Sequence, residues 1–240
     1  MRTHQASDHY LSRTNSGTEA IMKQGLTEIV FILDRSGSMS GLEKDTIGGF
    51  NSTIDKQKQE TGEAFVSTVL FDTEMEVLHD RTPLANIAPL TEKEYYARGC
   101  TALLDAIGGA IHHIGNVHKY ARDEDRPEKT IFVITTDGYE NSSRKYTAER
   151  VKQMIERQKQ KYGWEFIFLG ANIDAIETAR NFGIDEDRAT NYVNDGAGIK
   201  MMYEAECCLM SDIRNNRKNA RQWKAKVDAD YAKRGNCNGK

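Results

Sequence analysis

The sequence predicts a doubly wound α/β sheet. Three short apolar runs carry this expectation: Ile29-Val30-Phe31-Ile32-Leu33, Ile131-Phe132-Val133-Ile134 and Phe166-Ile167-Phe168-Leu169. Each is too short for a membrane and has the length of a strand buried on both faces, which belongs to a parallel sheet covered by helices. Stretches with helical periodicity separate them, and one tight turn joins two further β-rich segments.

In chain order, residues 1–26 are polar and aperiodic and read as a loosely attached extension. After the first apolar run, Ile47, Phe50 and Ile54 recur at helical spacing and predict a helix over 43–60. Its Gly48-Gly49 pair lowers helix stability, which a close approach to the neighbouring strand would justify. Residues 64–72 are β-rich. Thr73-Glu74 turns the chain into 75–78, so these two strands must be antiparallel, with the second at an edge blunted by Glu74, Glu76 and Asp80.

A loop punctuated by Pro83 and Pro89 runs to about residue 98. Leu103, Ile107, Ala110, Ile111, Ile114 and Val117 then mark one face of a long helix with Thr101 at its start. His112, His113 and His118 read as surface or packing residues. The second apolar run follows over 129–136, a helix over 147–161, the third run over 164–169 and a short helix ended by Gly183. A weak strand at 188–193 precedes a last apolar stripe from Ile199 to Ile213.

The chemistry collects where the apolar runs end. Asp34, Ser36 and Ser38 alternate after the first run, so an extended backbone points all three to one side. One carboxylate and two hydroxyls at one point suit a small hard cation such as Mg2+. The same residue types also read as a helix cap and polar turn. Asp137 follows the second run in Thr-Thr-Asp-Gly, so two carboxylates fall at strand carboxyl ends, where ligands bind in sheets of this class. Thr101 likewise reads as a simple helix cap when taken alone.

Together these segments resemble the metal-ion-dependent adhesion site of von Willebrand factor A domains: Asp34-x-Ser36-x-Ser38, then Thr101 in Gly-Cys-Thr-Ala-Leu-Leu-Asp-Ala, then Asp137 in Thr-Thr-Asp-Gly. The resemblance covers about 27–213. It implies a mostly parallel six-stranded sheet with one antiparallel edge and helices on both faces. It further implies a metal site made of Asp34, Ser36, Ser38, Thr101 and Asp137, holding Mg2+ (or Mn2+ or Ca2+), and an interaction module rather than an enzyme. Three hydroxyls and at most two carboxylates leave such an ion electron-poor, so an acidic side chain on a protein partner can complete its coordination. Arg35, Met39 and Tyr139 stand beside these ligands and are expected at the rim as partner contacts. Asp105, a turn after Thr101, reads equally as an orienting carboxylate or a surface charge.

Composition narrows the remaining classes. A metal-assisted phosphoester hydrolase of the haloacid-dehalogenase kind wants Asp-x-Asp after its first strand, and here the third residue is Ser36. The formal net charge of −3 is uneven: from Arg214 to Lys240 nine Lys and Arg stand against two Asp, so this segment carries +7 and the rest −10. Residues 214–240 therefore read as a basic tail with little to bury, either a solvated helix end or a nucleic-acid contact. No stretch approaches the length of a membrane helix, and the first residues show no apolar signal segment. Cys100, Cys207, Cys208 and Cys237 lack zinc spacing. Few, unpatterned cysteines predict a cytoplasmic protein.

Overall fold

The computed structural model describes residues 23–217 and 222–235. The chain runs β1 (Lys23–Asp34), α1 (Glu43–Gln57), β2 (Glu63–Phe71), β3 (Met75–Pro83), α2 (Leu103–Tyr120), β4 (Pro127–Thr136), α3 (Ala148–Tyr162), β5 (Glu165–Gly170), α4 (Ala175–Asn181), β6 (Ala189–Asn191), α5 (Gly196–Arg214) and α6 (Ala225–Arg234). The six strands form one sheet in the order β3-β2-β1-β4-β5-β6. All neighbours are parallel except β2 and β3. The predicted fold class is the observed one.

Alternation within the apolar runs builds the two cores. Ile29, Phe31 and Leu33 face one side with Phe50 of α1 and Ile199, Met202 and Leu209 of α5. Val30 and Ile32 face the other, with Leu103, Ile107 and Ile111 of α2 and Val151 and Ile155 of α3. From β1 the chain builds outward through β2 and β3, then returns to lay β4 on the opposite flank of β1. The strand order therefore reverses between β1 and β4, and the crevice above their carboxyl ends is where such a sheet binds ligands.

The Gly48-Gly49 pair has a different reason from the one expected. A Cβ on Gly49 would lie 2.1 Å from Cδ2 of Tyr203, so the close approach is to α5 and not to a strand, while Gly48 has open space beside it.

Two predicted boundaries move. β1 begins at Lys23, whose N–H donates to Arg126 O at 2.9 Å, and Leu26 is buried. The extension expected over 1–26 thus gives up its last four residues to the sheet; its first 22 lie outside the described residues.

The basic tail expected over 214–240 is also corrected. Arg214 closes α5, buried, with Nη1 donating to Gln57 O at 2.9 Å. α6 packs beside β6, burying Trp223 and Val227 in the first core. Trp223 Nε1 donates to Asp187 O at 2.9 Å, Lys224 Nζ to Ala189 O at 2.7 Å, and Thr190 Oγ1 to Asp228 at 2.7 Å. Arg234 pairs with Asp195 and Asp230. Part of the positive charge thus satisfies carbonyls and carboxylates of the body. Two apolar anchors in a charged stretch are too few to register as a stripe, which hid this helix. Residues 218–221 and 236–240 of the expected tail are outside the described residues.

No helix among the described residues is long and apolar enough to cross a membrane. Cys100, Cys207 and Cys208 are free cysteines. His112 and His113 bond to Asn116 at 2.9 Å and Asp80 at 2.7 Å, as surface residues do.

Candidate metal centre

Asp34 ends β1 and Asp137 follows β4, so strand pairing alone sets these carboxylates side by side at the carboxyl edge. Both are almost completely buried. Asp34 Oδ1 accepts the Ser36 N–H at 2.7 Å, and Asp34 Oδ2 accepts from Thr136 Oγ1 at 2.6 Å. Ser36 Oγ and Ser38 Oγ lie 3.1 Å apart, and Ser38 Oγ donates to Asp137 Oδ1 at 2.5 Å. Asp137 Oδ2 accepts from Asn194 Nδ2 at 3.1 Å.

Thr101 enters just ahead of α2. Its N–H donates to Asn141 Oδ1 at 2.9 Å, and its carbonyl accepts the Asn141 N–H at 3.0 Å. A Cβ on Gly138 would stand 3.7 Å from both Ser38 Oγ and Thr101 Oγ1, in the space between those hydroxyls. The five residues singled out by sequence therefore meet at one mouth, from the turn after β1, the segment before α2 and the turn after β4.

Burial pushes the Asp34 carboxyl up to about 6, against hydrogen bonds from Ser36 and Thr136, with the charge of Asp137 adding to the rise. Burial likewise raises Asp137, opposed by Ser38 and Asn194. Two carboxylates that resist ionisation beside one another are a place where a cation is favourable. The donor set is all oxygen, suited to Mg2+, Mn2+ or Ca2+. Among the described residues no cluster of three or more His, Cys, Asp or Glu could hold a metal, so a cation site at this mouth would have to draw on hydroxyls.

The surroundings differ from expectation in two places. Arg35 and Met39 are buried, at 0% and 2% exposure, and cannot meet a partner at the rim. Arg35 points away from the mouth into Asp72 and Glu76; Met39 turns inward after the short helical turn at Gly37–Met39. Tyr139 is 64% exposed and does stand at the surface. Asp105 is neither free nor turned to the mouth: its carboxylate accepts the N–H groups of Arg144, Lys145 and Tyr146 at 2.8–2.9 Å and fixes the loop after β4. Glu140 fixes the same loop from the other side, accepting the Leu104 N–H at 2.9 Å and the Ser143 N–H at 2.7 Å.

Thr136, Asn141, Asn194 and Tyr95, whose hydroxyl donates to Asp34 O, support the site and were not singled out from sequence. Thr136 and Asn141 flank Asp137 closely enough to have been suspected. Asn194 and Tyr95 arrive from distant loops and carry no local signal.

A mostly parallel doubly wound sheet with one antiparallel edge and helices on both faces is the fold of von Willebrand factor A domains, and the fold of this chain is theirs. The mussel byssus proximal thread matrix protein 1, in a structure with a zinc-occupied metal-ion-dependent adhesion site, is 16% identical over 80% of this chain and 47% of its own length, with a TM-score of 0.56. The vWF domain of the type V pili tip protein Mfa5 from Porphyromonas gingivalis is 12% identical over 77% of this chain and 94% of that domain, also at 0.56. A von Willebrand factor type A structure from Catenulispora acidiphila is 15% identical over 79% and 43%, at 0.51. This chain spans about half the length of the mussel protein it matches. No protein-family model and no curated protein matches the sequence.

Proposed function

We propose that the chain is a metal-ion-dependent protein-interaction module. Asp34, Ser36, Ser38, Thr101 and Asp137 would hold Mg2+, with Mn2+ or Ca2+ as substitutes, and an acidic side chain of a protein partner would complete the coordination. The observation that carries this reading is the convergence of two buried carboxylates and three hydroxyl residues at the β1/β4 crevice. The zinc at the corresponding motif of the mussel protein supports a divalent ion.

A bound cation supplies a positive centre at a mouth that is otherwise acidic. The residues of this chain set its direction. Thr136 and the Ser36 N–H orient Asp34, Asn194 orients Asp137, and the two Asn141 bonds fix Thr101. Tyr139, exposed beside Gly138, would line the approach of the partner. Because the chain as a whole carries a net −3, a carboxylate gains nothing from the general field and must be drawn by a local charge.

This role requires binding and release, not catalysis. The phosphoester-hydrolase alternative wants a second carboxylate where Ser36 stands, and the site favours the binding reading for that reason. The unpaired cysteines are consistent with a cytoplasmic setting, which forms part of this proposal. A pull-down from lysate with Mg2+, repeated with chelator, tests the reading: partners retained only with Mg2+ support it, and identical partners in both conditions overturn it.

A further inference from the structure

The turns that carry the site are stitched together from behind. Arg35 sits in sequence between Asp34 and Ser36, yet its side chain points the other way and is fully buried. Its Nε donates to Asp72 Oδ2 at 2.9 Å, and its Nη2 lies 2.8 Å from Glu76 Oε2. Asp72 Oδ2 also accepts from Arg98 Nε at 2.7 Å. The ring of Tyr96 covers both guanidinium groups, at 5.6 Å from Arg35 and 5.4 Å from Arg98.

The main chain of these residues closes a frame. Arg98 N–H donates to Arg35 O at 2.8 Å, and Ala102 N–H donates to Asp72 O at 2.8 Å. Thr101 therefore stands on a segment pinned at one end to Arg35 and at the other to Asp72. The Arg35 guanidinium bridges those two anchors. Gly37 N–H donates to Gly99 O at 3.1 Å, so the turn bearing Ser36 and Ser38 is tied to the same segment.

We infer that Arg35 is a positioning residue of the metal site: its bridge to Asp72 and Glu76 sets where the Thr101 hydroxyl stands relative to Ser36 and Ser38. This rests on the metal-site reading above. A buried guanidinium is a poor source of net stability, because desolvation of the charges consumes most of the attraction. What it supplies is direction, since its Nε holds Asp72 by a hydrogen bond while Nη2 lies near Glu76 as an ion pair without hydrogen-bond geometry. An apolar residue would fill the space but leave the β1 turn joined to the other two segments by main-chain bonds alone, while Arg98 still holds Asp72.

The test is Mn2+ binding to the full chain, read from the electron paramagnetic resonance of the free ion. The variants are Arg35→Lys, Thr101→Ala and the two combined. Lysine keeps the charge but cannot span both carboxylates. Arg35→Lys is expected to weaken Mn2+ by about tenfold, as loss of outer partners of metal ligands does. With Thr101 already alanine, the same change is expected to cost no more than about twofold, because its route to the ion is gone. Glu76→Gln alters only the half-exposed outer arm, so it holds the fold should lysine not be tolerated, and is expected to weaken Mn2+ by about threefold. Unchanged affinity in Arg35→Lys and Glu76→Gln, or an equal loss with and without Thr101, overturns the positioning role. No Mn2+ binding by the unsubstituted chain overturns the metal-site reading and this inference with it. Binding that Asp34→Ala abolishes but Arg35→Lys leaves intact overturns this inference alone.

Discussion

Ser38 and Asp137, 99 residues apart in sequence, share a hydrogen bond of 2.5 Å, with the serine hydroxyl donating to the carboxylate. The bond closes the mouth between the turns after β1 and β4. A cation bound there would take both oxygens as ligands in its place. Ser38→Ala removes a proposed hydroxyl ligand and leaves Asp137 with Asn194 as its remaining side-chain partner among the described residues. It is expected to weaken divalent-ion binding by about tenfold or more, judged from the loss typical of outer partners of metal ligands. Isothermal calorimetry with Mn2+ reads this directly, and an unchanged affinity would remove Ser38 from the ligand set.

The glycine pair in α1 gives two substitutions of opposite sign. Gly48→Ala meets nothing and is expected to stabilise by about 0.5–1 kcal/mol through helix propensity. Gly49→Ala gains the same propensity but drives a methyl group into the buried ring of Tyr203, an overlap expected to cost about 1–3 kcal/mol and to outweigh it. Urea midpoints of the two variants should move in opposite directions. A stabilised Gly49→Ala would mean that α1 and α5 are not in this contact.

Glu206 lies fully buried on α5, and among the described residues neither carboxylate oxygen has a hydrogen-bond partner. Burial pushes its carboxyl well above the usual range. A carboxyl raised on folding gives its full contribution below the unfolded value near 4.5 and loses it as pH rises through the folded value. Glu206→Leu abolishes that loss. At pH 8 the variant is expected to be about 1–4 kcal/mol more stable than the unsubstituted chain, with a smaller difference at pH 4. Denaturant titrations at both pH values check this, and a difference independent of pH would contradict it.

Removal of the chain after Arg217 deletes α6. Trp223 and Val227 leave the core, at about 1.5–3 kcal/mol for each buried side chain, and the β6 edge loses its cover. A lower melting temperature is expected, opposite to what a solvated tail would give. An unchanged melt would show that α6 adds nothing to the body.

That the five candidate residues lie together was legible because they come in short local patterns at strand ends, where side-chain alternation and buried-strand composition act together. Arg35 was misplaced because polarity near a ligand does not reveal on which side of the turn a side chain falls. Its partners, Asp72 and Glu76, lie on another strand turn and could not be paired with it from spacing alone. Asn194 and Tyr95 were invisible for the same reason. α6 was missed because helical periodicity needs more than two anchors, and the basic residues there suggested solvent when several of them bind carbonyls and carboxylates. The doubly wound class and its antiparallel hairpin were legible, because buried strands alternating with helices leave few ways to wind a parallel sheet, while the order of the six strands was not read from the sequence.

The most direct measurement is a calorimetric titration of the full chain with Mg2+, repeated for Asp34→Ala and Asp137→Ala after each has been shown by circular dichroism to fold. The metal-site reading predicts one bound ion for the unsubstituted protein and loss of that binding in both variants. Equal Mg2+ affinity in all three proteins, or no binding of Mg2+ or Mn2+ by any of them, would contradict it.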